Sequence, residues 1–468
     1  KGAASSHAGI KASLQHLSDG HPIAIFPAGE VSTYQNAAKT VVDKNWSNSI
    51  SKLIQHASVP VVPIYFEGQN SWLFHVLGLI HPLLRTAKLP SELFNKKNSL
   101  IKVRIGNPIS AKEIQTFQKV SDLTKYLRAR TYALGSKLEV KRNWYDFRLT
   151  KAAPIADAIA PELIKQEIEA AKVQNLLFDS QPFSVLCIAA SKIPNTLKEI
   201  GRLREITFRA VGEGTNKSAD IDPFDLYYEH LIVWDNNANQ IVGAYRLCKG
   251  KQALYMHGKK GFYLSTLFKI DDAMIPILEQ SIELGRSFIL EAYQRKPLSL
   301  FLLWKGIFYY LLKNPEYRYL IGPVSISNDF STFSKALIVE FIKSNFYDHE
   351  KAAWVKARKA FRVKKSSKID SKLLIEQMEQ NLNKLDSFVK DIEFGFGAPV
   401  LLKKYLKLNA KIIGFNMDPH FNNSLDGLVL VDILEVDPDF IRSLSKELQD
   451  PSILARFNTK QKTKVTVE

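Results

Sequence analysis

Charged side chains in the middle of the chain have the types needed to acylate an amine. An amine attacks a thioester only when it is unprotonated, so a carboxylate, or a water held by one, must take its proton, and Glu283 is the candidate base. Arg246 and Arg286 carry guanidinium groups, whose geometry binds a carboxylate through two hydrogen bonds. The same residues also suit a salt-bridge network that only braces a fold. The pattern therefore indicates either an acyl-transfer site for an amino acid or a structural network.

A second candidate site lies near the start of the chain, where residues 26–32 read Phe-Pro-Ala-Gly-Glu-Val-Ser. A strand that ends at Pro27 and turns at Gly29 would present backbone N–H groups to a bound anion. Glu30 and the hydroxyl of Ser32 lie in the same turn. We expect either a phosphate or carboxylate cradle here or an ordinary strand-to-helix turn.

The elements around this turn predict an α/β domain, because strands alternate with helices along the chain. The predicted elements are helices at 10–17 and 49–56 and strands at 22–26, 59–66 and 100–105. We place this domain at residues 1–148 and a helical linker at 149–180.

Three motifs in this domain, in order, resemble the glycerolipid acyltransferase family, which includes lysophosphatidate acyltransferase. They are residues 26–32, residues 59–64, and the Ile-Gly-Asn-Pro-Ile sequence at 105–109. The resemblance implies acyl transfer to a hydroxyl group. The substrate-binding residues that it implies are Pro27, Gly29, Glu30 and Ser32.

The same domain departs from that family at two points. The family motif reads Phe-Pro-Glu-Gly-Thr-Arg-Ser, and the absence of its arginine here argues against glycerol 3-phosphate as the acceptor. The family's catalytic His and Asp are separated by four residues, and no histidine within residues 1–148 has an aspartate at that spacing. Because the chain begins at Lys1 in what reads as mid-domain sequence, we expect an N-terminally truncated domain whose catalytic pair precedes Lys1.

The second half of the chain predicts another α/β domain, at 181–468. The predicted elements are a strand at 183–190, a helix at 195–208, a hairpin of strands 229–234 and 240–248, a strand at 286–290, a helix at 298–312, a strand at 319–327 and a helix at 331–346. The order of hairpin, strand, helix, strand and helix is that of the GNAT acyltransferase fold.

The polar residues of this domain resemble acyl-homoserine-lactone synthases in order and approximate spacing. The local sequences at 229–233, 242–247 and 283–286, with Phe421-Asn422-Asn423 and Asp426 later, are similar to hemolysin-type ornithine lipid N-acyltransferases. The resemblance implies that Glu283, Arg286 and Arg246 are catalytic. The substrate-binding residues that it implies are Arg204, Phe208, Asp222, Asp225 and His230.

The acyl donor is predicted from a loop that the chain lacks. Residues 291–297 do not contain the Gln-x-x-Gly-x-Gly/Ala sequence that cradles the pyrophosphate of coenzyme A. This favours acyl carrier protein, whose acidic helix would dock on Arg295, Lys296 and Lys305. Acyl-CoA stays open as a donor, and no tightly bound cofactor is expected.

Composition limits the classes of binding partner that the protein is expected to have. The 468 residues carry a formal net charge of +17, which calls for a polyanionic partner or surface. Nucleic-acid motifs are lacking, so nucleic acid is not expected and anionic lipid is preferred. Only Cys187 and Cys248 are present, without metal-ligand spacing, which fits a reducing compartment and predicts no metal site.

Two segments could contact a membrane surface. The apolar run Trp72–Leu84 has about 13 residues, fewer than the roughly 20 that span a bilayer, and predicts an interfacial or a buried helix with Arg85 and Lys88 beside it. The basic stretch Lys351–Lys368 suits an anionic membrane, a carrier protein or a solvated helix face. We expect a cytoplasmic protein, peripheral on the inner face of the cytoplasmic membrane.

Taken together, the two resemblances imply a bifunctional enzyme of bacterial aminolipid synthesis. The GNAT-like domain would N-acylate ornithine or glycine with a 3-hydroxyacyl group, and the N-terminal domain would O-acylate the resulting lyso-lipid. The alternatives are a single-step synthase of an acyl amide signal and a membrane-surface protein with a degenerate O-acyltransferase domain.

Overall fold

A computed structural model describes residues 3–35, 40–137, 152–294, 297–362, 369, 371–393, 395–454 and 457. The chain divides into two compact units, and neither is continuous in sequence. The first unit comprises 1–142, 331–340 and 363–398, and the second comprises 143–330, 341–362 and 399–468. Both units contain helices and strands, so the α/β prediction is confirmed. The boundaries at 148 and 180 stay predictions.

The elements up to residue 137 are α1 (Ala3–Ser18), β1 (Thr33–Gln35), β2 (Thr40–Val42), α2 (Asn48–Ala57), β3 (Ile64–Phe66), α3 (Trp72–Ile80), α4 (Pro82–Asn95), β4 (Val103–Ile105), α5 (Ala111–Gln115) and α6 (Val120–Leu134). Their strands form two short antiparallel pairs, β1 with β2 and β3 with β4.

The elements from residue 152 to 294 are α7 (Pro161–Asn175), β5 (Leu176–Ser180), β6 (Phe183–Ala189), α8 (Pro194–Ala210), β7 (Glu229–Asp235), β8 (Gln240–Lys249), α9 (Gly250–His257), α10 (Leu264–Leu267), β9 (Phe268–Ile270), α11 (Ile275–Glu279), β10 (Ser281–Ile289) and α12 (Glu291–Gln294).

The elements that follow are α13 (Pro297–Lys313), β11 (Tyr319–Ile326), α14 (Thr332–Asn345), α15 (His349–Ala352), β12 (Val355–Ala357), α16 (Ser371–Met378), α17 (Leu382–Ile392), α18 (Val400–Lys407), β13 (Lys411–Asp418), β14 (Ser424–Asp432) and α19 (Pro438–Leu448).

The second unit is built on an eight-stranded sheet in the order β13-β14-β11-β10-β8-β7-β6-β5. All neighbouring strands of this sheet are antiparallel except β10 and β11, which are parallel. The predicted succession of hairpin, strand, helix and strand is present as β7, β8, β10, α13 and β11. In the predicted linker, the helix is present as α7, and 176–180 add the edge strand β5.

Helices cover both faces of this sheet. Ile164 of α7 and Ile200 of α8 belong to one apolar cluster with Leu186 and Ile232 of the sheet. A side chain at Gly306 of α13 would contact Val185 and Leu231. These residues directly precede Leu186 in β6 and Ile232 in β7. Because successive strand residues point to opposite faces, α13 lies on the other side of the sheet.

Two predicted elements in the first unit differ from the structure. Residues 22–26 form no strand, and Phe26 is 77% exposed, because no described segment pairs with them. Of the strand predicted at 59–66, only the part that forms β3 pairs with another strand, and Val61 forms an isolated bridge with Ile109. The apolar run that begins at Trp72 forms α3 and the start of α4, with His81 between them.

In the second unit, β10 begins at Ser281 rather than at 286, so Glu283 lies inside the strand. The hairpin of β13 and β14 was not predicted, although its sequence carried a signal. Two apolar runs flank Asn422 and Asn423, which adopt φ values of 50° and 54°, a conformation that asparagine tolerates better than most residues.

Candidate active site

The parallel strands β10 and β11 separate within the sheet. They pair only from Ser281 to Glu283 and from Tyr319 to Ile321. Beyond this point β11 stays paired with β14 as far as Ile326, and β10 stays paired with β8 through a register shift between Gly285 and Phe288. An opening therefore forms between two central strands.

A cavity of about 70 Å³ occupies this opening. Its walls come from both strands, with Gly285 to Ser287 on β10 and Pro323 to Ser325 on β11. Side chains from other elements complete it, namely Phe208, Tyr245, Tyr263, Leu401, Asp418, Phe421 and Asp426. The site combines one guanidinium, two carboxylates and several aromatic rings.

Arg286 is the predicted catalytic residue that lines the cavity. It sits in the register shift of β10 with φ of 52°, a left-handed conformation that is uncommon for residues other than glycine. Its Nη1 donates to Tyr263 Oη at 3.3 Å, and its Nε lies 3.0 Å from Asp220 Oδ2. Nη2 lies 3.7 Å from Asp222 Oδ2, too far for a hydrogen bond. The guanidinium is therefore anchored while retaining donor capacity towards the cavity.

Glu283 does not line the cavity. Its buried carboxylate accepts hydrogen bonds from the backbone N–H of Tyr263 at 3.0 Å and of Leu264 at 2.7 Å, and from the hydroxyl of Tyr228. Burial raises the pKa of Glu283 to about 7 against the opposing effect of these bonds. From this position Glu283 holds Tyr263 in place, and its role as the general base stays a prediction.

Arg246 lies in a buried ion-pair network. Its Nη1 donates to Asp222 Oδ1 at 2.7 Å and lies 3.2 Å from Asp225 Oδ1, while Arg204 Nη2 reaches the same Asp225 oxygen at 2.7 Å. Burial alone would lower the pKa of Arg246, but Asp225 and Asp222 raise it. The structure thus brings the four predicted residues together as a brace beside the cavity, and Arg246 is absent from its walls.

Phe208 and His230 occupy different surroundings. Phe208 lines the cavity and packs edge-to-face on Phe421 at 5.0 Å between ring centroids. His230 is buried with its Nε2 3.1 Å from the carbonyl oxygen of Asp225. Burial, followed by the charge of Arg204, lowers the pKa of His230 to about 4. His230 is therefore a neutral imidazole that supports the network.

Sequence reasoning missed the acidic part of the cavity wall, except that Asp426 had been included in a motif. Asp418 ends β13 and Asp426 lies on β14. Asp418 Oδ2 accepts a hydrogen bond from Tyr263 Oη at 3.1 Å. The hairpin signal around Asn422 could have placed Asp418 and Asp426 on paired strands. No local sequence pattern identifies Tyr263 as a cavity residue.

The four predicted residues of the first unit lie in an irregular segment. Gly29 adopts φ of 68°, and its N–H donates to the carbonyl oxygen of Phe26 at 3.1 Å. Glu30 pairs with Lys44 at 2.6 Å and Arg85 at 2.9 Å, and the Lys44 hydrogen bond is the main cause of its lowered pKa. Pro27 lies in the same turn, and its carbonyl oxygen accepts from Ser47 N–H at 3.1 Å.

Ser32 donates its hydroxyl proton to Asp43, so this hydroxyl is already engaged within the first unit. The predicted strand before the turn is absent, which removes the strand-end geometry on which the cradle was based. A larger cavity of about 600 Å³ lies beside this segment and has Lys44, His75 and Arg85 among its lining residues. Lys44 and Arg85 at this cavity both pair with Glu30, whereas the predicted cradle consisted of backbone N–H groups and the Ser32 hydroxyl.

The structure also bears on metal binding, membrane-spanning helices and the predicted docking surface. Among the described residues, no cluster of three His, Cys, Asp or Glu side chains is placed to hold a metal ion, and no helix is long and apolar enough to cross a membrane. Lys305, predicted on a docking surface, is instead buried, with its Nζ 2.7 Å from Glu447. Arg295, Lys296 and residues 363–368 of the basic stretch lie outside the described residues.

Comparison with known proteins agrees with two acyl-transfer domains. Residues 1–141 match a family model described as an acyltransferase, and residues 203–305 match one described as an acetyltransferase (GNAT) domain. The chain is an acyltransferase. The predicted order, an acyltransferase domain followed by a GNAT domain, is confirmed.

Two relatives of this acyltransferase are named glycine N(alpha)-acyltransferase. The protein of Phocaeicola vulgatus is 28% identical over 303 residues, which cover 60% of this chain and 89% of that protein. The protein of Bacteroides thetaiotaomicron is 28% identical over 309 residues, covering 61% and 87%. The narrower prediction of an ornithine lipid synthase stays a prediction.

A solved CoA-dependent acyl-homoserine lactone synthase, in complex with SAM and isopentyl-CoA, is 12% identical in sequence, with a TM-score of 0.28. The match covers 57% of this chain and 90% of that one.

Proposed function

We propose that the second unit transfers a 3-hydroxyacyl group from a thioester to the amine of a small amino acid, with glycine as the preferred acceptor. The first unit then acylates the hydroxyl of this product, which yields an aminolipid with two acyl chains. The match of residues 1–141 to an acyltransferase model supports a second acyl transfer, and the relatives named for glycine acylation support glycine as the acceptor. The thioester is carried by acyl carrier protein or by coenzyme A.

The cavity between β10 and β11 carries this proposal. It holds a guanidinium anchored for carboxylate binding, and its volume of about 70 Å³ is more than one water molecule needs. The relatives named glycine N(alpha)-acyltransferase favour glycine over ornithine, the other predicted acceptor.

Purified protein, glycine and a 3-hydroxyacyl thioester are expected to give N-(3-hydroxyacyl)glycine by mass spectrometry. Arg286→Lys should raise the KM for glycine about 10- to 100-fold with a smaller change in kcat, because lysine cannot form the bidentate pair with a carboxylate. Arg318→Lys is the matched control, since Arg318 pairs with Asp432 away from the cavity.

The products distinguish the proposed two-step synthesis from the single-step alternative. A di-acylated product supports both steps of the proposal. N-acylglycine alone, from a protein that carries the His-x4-Asp pair of the acyltransferase family and with excess donor present, favours the single-step amide synthase. An unchanged KM for glycine in Arg286→Lys would remove Arg286 from acceptor binding, and acylation of ornithine in preference to glycine would overturn the choice of acceptor.

We further propose that the first unit rests on the inner face of the cytoplasmic membrane through α3 and α4. Trp72, Ile80 and Leu83 are each more than two-thirds exposed on these helices. Lys88 lies within α4 and Lys96 directly follows this helix, and both would meet anionic headgroups. Exposed apolar side chains on helices that also carry cations are typical of interfacial binding.

Ile80→Glu combined with Leu83→Glu is expected to weaken binding to phosphatidylglycerol vesicles by at least about tenfold in a co-sedimentation assay, because two apolar side chains no longer enter the bilayer. Val173→Glu, which changes an exposed valine on α7, is the control and should bind like the unaltered protein. Equal binding by the double variant would place the membrane contact elsewhere, and no binding to anionic vesicles by the unaltered protein would reject it.

A further inference from the structure

An acidic wall lies in the cavity together with Arg286. Asp418 and Asp426 both line the cavity and are only 2% and 4% exposed. Asp418 is held by two donors, the hydroxyl of Tyr263 at 3.1 Å and the backbone N–H of His420 at 2.8 Å. In the described part of the chain, no lysine or arginine nitrogen lies within 4 Å of the Asp426 carboxylate, so this buried group lacks a cation of its own.

The neighbours of Asp426 make its negative charge costly. Asp418 approaches from β13, and Glu213 approaches from the loop after α8, where it accepts a hydrogen bond from Ser325 at 2.9 Å. Burial, then Asp418 and Glu213, raise the pKa of Asp426 well above its ordinary value, while Arg286 acts in the opposite direction. Burial also raises the pKa of Glu213 to about 7. A bound cation would relieve this repulsion.

Arg286 and the acidic wall together suit a zwitterion. A carboxylate needs the donors of Arg286, and an ammonium group needs acceptors that are not already neutralised by a cation. Both are present within one cavity of about 70 Å³, so an α-amino acid can satisfy the two ends at once. A simple amine or a simple carboxylate would leave one end without a partner.

We propose that Asp426, with Asp418 beside it, binds the ammonium group of the amino-acid acceptor while Arg286 binds its carboxylate, and that Asp426 takes the ammonium proton. This inference rests on the proposed acylation of an amino acid and adds the residues that recognise its amine.

The reaction then balances as follows. The ammonium gives one proton to Asp426, and the freed lone pair of the nitrogen forms the C–N bond with the thioester carbonyl carbon. The C–S bond breaks, and its electron pair leaves with sulfur. The nitrogen loses a second proton, which protonates the thiolate, and the products are the amide and the free thiol. Asp426 returns its proton to solvent.

Binding measured without an acyl donor tests the inference separately from catalysis. In isothermal titration calorimetry of the whole chain, Asp426→Asn is expected to bind glycine about 10- to 100-fold more weakly than the unaltered protein, because a charge-assisted hydrogen bond is lost. Propionate, which has the carboxylate and no ammonium group, should bind the variant no more weakly. Asp432→Asn, on the same strand but paired with Arg318, is the control.

Asp426→Asn should remain folded, since it replaces a carboxyl whose surroundings disfavour its charge; thermal unfolding checks this, and Asp418→Asn provides a second variant. Loss of glycine affinity with propionate affinity kept supports the inference. Equal glycine affinity in the variant and the unaltered protein overturns it, as does a lack of glycine binding by the unaltered protein. Glycine binding that depends on Asp426 without any N-acylglycine formed would instead reject the proposed function alone.

Discussion

Replacing Glu283 by glutamine is expected to lower kcat for amide formation about 100-fold, because small displacements of catalytic geometry have effects of this size. The carboxylate accepts from the backbone N–H groups of Tyr263 and Leu264. A glutamine side chain turns an N–H group towards at least one of these donors. Tyr263 then shifts, and its hydroxyl contacts both Arg286 and Asp418 in the cavity wall.

The dependence of kcat/KM on pH tells whether Glu283 positions Tyr263 or acts as the base. The pKa of Glu283 is raised to about 7, so a basic role would add a loss of activity as pH falls through about 7. We expect the acid limb of the profile to persist in Glu283→Gln, because Glu283 does not line the cavity. Disappearance of that limb would restore Glu283 as the general base.

A matched control separates a local effect from a general one. Glu279 is exposed and lies four residues earlier, so Glu279→Gln should keep full activity. Glu283→Asp should not restore the rate, since its shorter side chain cannot reach the same three donors. A Glu283→Gln enzyme with unaltered kcat would show that the placement of Tyr263 does not matter.

Asp225→Asn is expected to lower the free energy of unfolding by about 3–5 kcal/mol, the usual cost of breaking a buried ion pair. Asp225 is fully buried and contacts both Arg204 and Arg246. Its Oδ2 also accepts the backbone N–H of Asp222 at 2.9 Å. The substitution leaves two buried guanidinium groups without their shared carboxylate, and denaturant unfolding measures the loss.

The contribution of Asp225 to the free energy of unfolding should decrease in acid. Burial would raise the pKa of Asp225, but Arg204 and Arg246 lower it below the ordinary value of 3.8. A carboxyl with a lowered pKa in the folded state stabilises the fold above its unfolded pKa and loses that effect as pH falls further. The difference between Asp225→Asn and the unaltered protein should therefore be full at neutral pH and shrink only in acid below about pH 4.

Asp439→Asn is the control for this measurement, because its ion pair with Arg442 is exposed and such pairs contribute about 1 kcal/mol or less. A loss in Asp225→Asn no larger than in this control would show that water reaches the network and replaces the missing carboxylate.

Local sequence patterns determined the longer central elements of the second unit, among them β6, α8, β7, β8, α13 and β11, but not the short helices α9 to α12 or the β13–β14 hairpin. The β7–β8 hairpin follows from two apolar runs around a polar turn, and α13 and β11 follow from apolar patterns of sufficient length. These signals work because each element buries side chains with its own period. The segment at 22–26 failed the same test, since an apolar run becomes a strand only when another strand pairs with it.

Only the tertiary structure decided which charged residues meet the cavity. Arg246 and Arg286 are equivalent candidates in sequence, yet Arg246 is enclosed by Asp222 and Asp225, while Arg286 turns into the opening at a register shift. Asp426 joins Arg286 only because β14 pairs with β11, more than 90 residues earlier in the chain. Strand pairing and the separation of β10 from β11 depend on contacts between distant segments, and no local spacing encodes them.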